Sequence, residues 1–220
     1  SRLGGQLASV FALATAACAE FLVYYSAELK PYASDALISA LLLLAFMRTL
    51  EARKRALPVM ATAGVVAPWL SLPSIFVLAA IGCGLSAKLF QRRPGARELL
   101  ALAAIGAAWL LSFALHYLAF LRLPSDDAAS LNAYWAQMDG FAPPLSADGL
   151  RWYAGKIAYV FYLFDAPLGY GARYVALALW GVGLWALYRR EPVLPLVFGL
   201  PLVLALVASA FHVYVMSDRL

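Results

Sequence analysis

Seven apolar runs follow one another along this chain, at residues 4–23, 33–49, 57–70, 73–90, 98–121, 172–189 and 193–213, and most are separated by short turns that collect arginine and lysine. Runs of this length approach or meet the roughly 20 residues that a helix needs to cross about 30 Å of hydrocarbon. With 64% hydrophobic and 13% charged residues, the composition lies outside the balance of a soluble domain. The sequence therefore predicts an all-α fold, a polytopic transmembrane helical bundle of about seven spans. The third run carries Pro58 and Pro68 and reaches only about 20 Å, so it is expected to be kinked, tilted or re-entrant.

Charge supplies an independent test of this topology, because Lys and Arg accumulate in the cytoplasmic loops of membrane proteins. Eleven of the 17 lysines and arginines fall on one side: Arg2, Arg48, Arg53, Lys54, Arg55, Lys88, Arg92, Arg93, Arg97, Arg189 and Arg190. Only Glu51, Glu98 and Glu191 of the 12 acids join them. The net charge of +5 thus reflects membrane orientation, and no nucleic-acid partner is expected. The other face gathers residues 24–35, the turn Pro68-Trp69-Leu70-Ser71-Leu72-Pro73, residues 122–173 and the tail from His212. Polar, aromatic and acidic residues concentrated there point to an extracytoplasmic working surface.

Within residues 122–171, the stretch 150–164 places Leu150, Tyr153, Ile157, Phe161 and Phe164 at helical spacing. Arg151 and Lys156, with Trp152, Tyr153, Tyr159 and Tyr162, make it read as an amphipathic helix lying in the headgroup region, with Asp148 as its expected N-cap. Residues 124–147, rich in Asp, Ser, Asn and Pro, read as a long outer loop of the kind that covers or binds ligands. The whole of residues 1–220 is read as a single transmembrane domain, and as a piece of a longer chain.

The most informative segment is Tyr24-Tyr25-Ser26-Ala27-Glu28-Leu29-Lys30-Pro31-Tyr32, a polar and aromatic wedge between two apolar runs. Ionisable groups beside a bilayer lose hydration, so a chain that keeps them there generally uses them. Glu20, inside the first run, is costly for the same reason. His116 and His212 lie near outer ends of spans without a ligand-spaced cluster around them, and are read as packing or hydrogen-bonding residues. Cys18 and Cys83 are read as packing residues. Asp126-Asp127 is read as a solvated pair. Gly82, Gly84, Gly181 and Gly183 thin their helices for close packing and do not form a nucleotide loop.

The wedge, continued to Ala33 and followed by a Leu-rich span and a basic turn, resembles the Y-S-x-E-x-R-x-Y-A stretch of bacterial GT-C glycosyltransferases. These are multi-spanning relatives of protein mannosyltransferases and of the aminoarabinose and core galacturonosyl transferases. Ser71-Leu72-Pro73-Ser74-Ile75-Phe76-Val77-Leu78, Asn132-Ala133-Tyr134-Trp135 and His212-Val213-Tyr214 with Arg219 are similar to further parts of that pattern. Lys30 stands where the family more usually has arginine, keeping the charge without the planar fork. The resemblance implies transfer of a sugar from a polyprenyl-phosphate carrier to a lipid, glycan or protein acceptor, at the outer face of a bacterial inner membrane. It implies Glu28 as an accessory catalytic residue, with the principal acid expected upstream of Ser1. Lys30, Tyr24, Tyr25, Tyr32 and Arg219 are the expected substrate-binding residues, with membrane lipids as surroundings. A divalent cation is compatible with the chemistry, but no metal ligand is assigned. A transporter or flippase for lipid-linked sugars and a non-catalytic envelope scaffold are the alternatives; little mid-membrane polarity beyond Glu20, Ser112 and Ser209 counts against the first.

Overall fold

The computed structural model describes residues 10, 13–14, 32–51, 56–121, 125–144, 146–162, 165, 169 and 171–215. Helices are the regular structure of the described residues, with no strand among them. In chain order the helices are α1 (Tyr32–Leu50), α2 (Ala56–Leu70), α3 (Ser74–Phe90), α4 (Ala96–His116), α5 (Ser125–Gln137), α6 (Ala147–Tyr159), α7 (Ala172–Arg190) and α8 (Val193–Ala210). A π-helical turn, Tyr117–Leu121, extends α4. Three of these helices are long and apolar enough to cross a membrane, over Ala33–Leu50, Ala96–Phe120 and Val193–Ala210. This length and composition mark a membrane protein. α2 and α3 are apolar but shorter, at 15 and 17 residues, and α7 has 19 residues but carries Arg173, Arg189 and Arg190.

Six of the seven apolar runs coincide with helices, and the first lies almost wholly outside the described residues. Residues 124–147 differ from expectation: Ser125–Gln137 is a helix rather than loop. Its starting residues, Ser125, Asp126 and Asp127, belong to types that favour helix N-termini, whereas reading the segment by overall polarity had hidden that signal. The interfacial helix forms three residues earlier than its apolar spacing suggested, because Ser146 caps it by accepting a 3.0 Å hydrogen bond from the Gly149 N–H. Asp148 instead sits in the first turn, in an exposed pair with Arg151.

The core lies between α1, α2, α3, α4 and α8. Leu42 and Phe46 of α1 meet Met60 of α2, Ile81 of α3 and Leu194 and Val197 of α8, all with almost no exposed surface. Small residues make these approaches close. A Cβ on Gly84 would strike Val197, 2.5 Å away, and crowd Val193 and Phe46. A Cβ on Gly64 would collide with the Trp109 indole, which packs against α2 and donates through Nε1 to the Ala61 carbonyl at 3.0 Å. Cys83 departs from the packing role expected of it, since it is exposed on the outside of α3. Around the core, Leu37, Leu41 and Leu44 of α1 and Leu110, Leu111 and Leu115 of α4 also face outward, as apolar residues do where hydrocarbon replaces water.

The close seam at Gly64 yields a direct test. Gly64→Val should destabilise the folded protein by about 1–3 kcal/mol through overpacking. Gly82→Val, at a site where an added Cβ meets nothing within 4 Å, should leave stability nearly unchanged. Thermal unfolding of both variants in the same detergent checks the difference.

Candidate functional site

The two ends of the bundle differ in chemistry. At one end α3 closes on the α7–α8 turn through Lys88, whose Nζ donates to both Glu191 carboxylate oxygens at 2.7 and 2.8 Å. Arg92, Arg93 and Arg97 share this end. The opposite end is built around the turn from Pro68 to Pro73, where α2 passes into α3.

Pro68 lies inside α2 and removes a backbone donor from its last turn. α4 supplies polar contacts there. Ser112 Oγ donates to the Val65 carbonyl at 2.5 Å and accepts from Trp69 Nε1 at 2.9 Å. Trp69 then packs edge-on against His116, with ring centroids 5.3 Å apart, and against Phe120 at 6.0 Å. Phe120 stands in the π turn, an irregularity frequent at functional sites.

Three buried side-chain atoms among the described residues have no hydrogen-bond partner: Asp35 Oδ1, Ser71 Oγ and His116 Nδ1. All three lie at this end. Asp35 is in the first turn of α1, and the Ser71 hydroxyl faces it without a hydrogen bond of good geometry. The backbone of Ser71 is fully used: its N–H donates to Ala67 and its carbonyl accepts from both the N–H and the hydroxyl of Ser74. Its side chain, by contrast, is only 3% exposed and unpaired. Each such atom costs about 1–3 kcal/mol. Asp35 and Ser71 lie side by side, and His116 reaches the same end of the bundle through its contact with Trp69, so hydrogen-bonding capacity there is left unused among the described residues.

A second construction closes the same end. Residues 139–144 form a strap across the end of α8, tied by the Ala142 N–H to the buried Ser209 hydroxyl at 3.1 Å and by Phe141 stacked on His212 at 4.3 Å. Trp152 Nε1 donates to Asp139 and the Tyr153 hydroxyl to the Pro143 carbonyl, so α6 holds the strap from its other side. Beneath lies an apolar groove of about 500 Å³ between Pro143, Tyr153, Val203, Leu206 and Phe211. Near the start of α7, Asp165 accepts from the Arg173 backbone at 2.8 Å and its side chain at 2.6 Å. Partial burial pushes the Asp165 carboxyl up. The Arg173 hydrogen bonds and charge, with the Gly171 N–H, outweigh it and hold the group below the ordinary carboxylate value.

Of the residues singled out in the sequence, Glu28, Lys30, Tyr24, Tyr25, Arg219 and Glu20 lie outside the described residues. Tyr32 is the first residue of α1, which places the wedge immediately before the turn that bears Asp35. In the sequence Asp35 stands only at the end of residues 24–35, and Ser71 only within the Pro68–Pro73 turn. His116 packs against Trp69 and Phe120, as expected, and its buried Nδ1 has no hydrogen-bond partner among the described residues. Among the described residues no three His, Cys, Asp or Glu side chains converge as a metal site would require. Comparison with protein-family models, with characterised proteins and with solved structures finds no match.

The Asp165–Arg173 pair has a defined pH signature. A carboxyl with a depressed folded-state pKa adds stability that is complete above its unfolded value, near 4, and disappears as pH falls through the lower folded value. Protection of the segment joining α6 and α7 from proteolysis should therefore persist to a pH below the ordinary carboxylate range. In Arg173→Gln it should fail at a higher pH, and an unchanged profile would exclude the pair as the stabilising contact.

Proposed function

We propose that the chain is the carrier-binding part of a membrane glycosyltransferase that moves a sugar from a polyprenyl-phosphate carrier to a lipid, glycan or protein acceptor. The observation that carries this reading is the neighbouring Asp35 and Ser71, with His116 against Trp69 of the same Pro68–Pro73 turn, each with an unpaired buried atom, in a chain whose preceding wedge resembles the GT-C pattern. A sugar offers hydroxyls that both donate and accept hydrogen bonds, which suits a carboxyl beside a hydroxyl and an imidazole at the same end of the bundle. The apolar groove under the 139–144 strap opens at the same end, and supports the reading by offering a surface on which an isoprenoid tail loses contact with water.

In this scheme Lys30 and Arg219 neutralise the carrier phosphate, Tyr24, Tyr25 and Tyr32 stack on the sugar, and Glu28 orients the acceptor hydroxyl. During transfer the acceptor oxygen loses its proton to a carboxylate and bonds to the anomeric carbon. The bond from that carbon to the phosphate oxygen breaks, and its electron pair leaves with the carrier phosphate. In this reading seven spans, oriented by the basic turns, carry this end of the bundle to the outer face of a bacterial inner membrane. Helix pairing supports the alternation, because Lys88 meets Glu191 at the basic end while Phe76 meets Tyr214 and Trp69 meets His116 at the other.

In the intact protein, Glu28→Gln and Lys30→Ala should abolish transfer from a polyprenyl-phosphate sugar while leaving the amount of inserted protein unchanged. His116→Phe retains a ring against Trp69 and Phe120 but removes the nitrogen, so it should lower transfer by about tenfold to a hundredfold with little change in stability. Full activity in all three variants would overturn the assignment.

A further inference from the structure

At the basic end of the bundle, opposite the proposed transfer site, a cavity of about 290 Å³ opens between α1, α2, α3 and α4. Its wall is apolar, with Leu57, Leu89 and Leu102, and its rim is charged, with Lys88, Arg92 and Glu98. Two of these three charges are engaged. Lys88 gives its ammonium to both oxygens of Glu191, and Glu98 Oε2 accepts the Gly95 N–H at 3.0 Å, closing a capping box at the start of α4. Arg92 is exposed and has no ion-pair partner among the described residues. It stands where Arg93 and Arg97 also crowd one turn, so the field at the mouth favours an anion.

A charged rim over an apolar recess between helices matches an amphiphile with an anionic head. An inorganic anion would leave the wall uncovered, and a neutral lipid would leave the guanidinium unused. We propose that this cavity is a binding site for an anionic phospholipid, with Arg92 on its phosphate and one acyl chain against Leu57, Leu89 and Leu102. The planar guanidinium offers two parallel donors to a phosphodiester, and basic pockets between helices at the cytoplasmic side of membrane proteins select such headgroups. The Lys88–Glu191 pair fixes the α3 side of the rim against the α7–α8 turn. This site does not depend on the glycosyl-transfer reading.

The test uses the intact protein in detergent, with retained lipid counted by native mass spectrometry after addition of phosphatidylglycerol or phosphatidylcholine of identical acyl chains. Wild type should retain phosphatidylglycerol about fivefold better, the scale expected for one cation near a membrane surface. Arg92→Gln should remove that preference, and Arg92→Lys should keep most of it. Leu102→Trp, which fills the recess, should reduce retention of both lipids. Inorganic phosphate at equal concentration should not displace phosphatidylglycerol. Equal retention of the two lipids by wild type, an undiminished preference in Arg92→Gln, or displacement by inorganic phosphate would each overturn the proposal. The Arg92→Gln comparison decides the matter even if Leu102→Trp fails to fold.

Discussion

The approach of α8 to α3 across Gly84 is the contact on which the rest of the arrangement depends. With no Cβ at that position, Val193 and Val197 enter the surface of α3 beside Phe46 of α1, and three helices share one buried layer. The consequences appear at both ends of the pair. At one end Lys88 comes within reach of Glu191. At the other, Phe76 meets Tyr214 edge-on at 5.0 Å, and Ser209 comes into position to hold the 139–144 strap. In a chain whose outer surface is as apolar as its interior, hydrophobicity alone does not select this packing. Close fit between small and branched residues does.

The α2–α4 seam solves a different problem. α2 is short and contains Pro68 near its end, and polar backbone left bare in hydrocarbon is expensive. The carbonyl that Pro68 leaves without a helical donor is that of Gly64, and α4 adds side-chain donors to two other carbonyls of the same helix. Trp109 donates to the Ala61 carbonyl and Ser112 to the Val65 carbonyl, so that the carbonyls one helical turn apart receive donors from residues one turn apart. The same seam carries Trp69 to His116, while the α1 side of α2 brings Asp35 beside the Ser71 hydroxyl. The polar groups that lack partners therefore sit on a frame whose other polar groups are well satisfied, which is the pattern expected of a preorganised binding site.

Much of the helical framework was legible in the sequence because apolar runs and basic turns report directly on burial in hydrocarbon. The boundaries of α1, α3, α4, α7 and α8 follow those runs closely. Legibility ended where local chemistry replaces hydropathy. The helix Ser125–Gln137 was hidden by its polarity, and the start of α6 was displaced because Ser146, two residues before Asp148, makes the capping bond. The candidate site was half legible. The wedge announced itself as charge beside a proline in an apolar setting, and it leads straight into α1. Asp35, Ser71 and His116 are separated by 36 and 45 residues in the chain, and nothing in their spacing says that three helix ends bring them to one turn. Cys83 shows the same limit in reverse: an apolar neighbourhood in sequence does not distinguish a core position from a lipid-facing one.

The central claim is that the end of the bundle bearing the Pro68–Pro73 turn receives the carrier. The most direct measurement is photocrosslinking of the intact protein with a diazirine-bearing polyprenyl phosphate, followed by peptide mapping of the adducts. The account predicts adducts within residues 24–35, 69–72, 116–120 and 203–212, competed by unlabelled polyprenyl phosphate. Adducts confined to the basic end around Lys88–Leu102, or a distribution indistinguishable from that of a diazirine phospholipid, would contradict it.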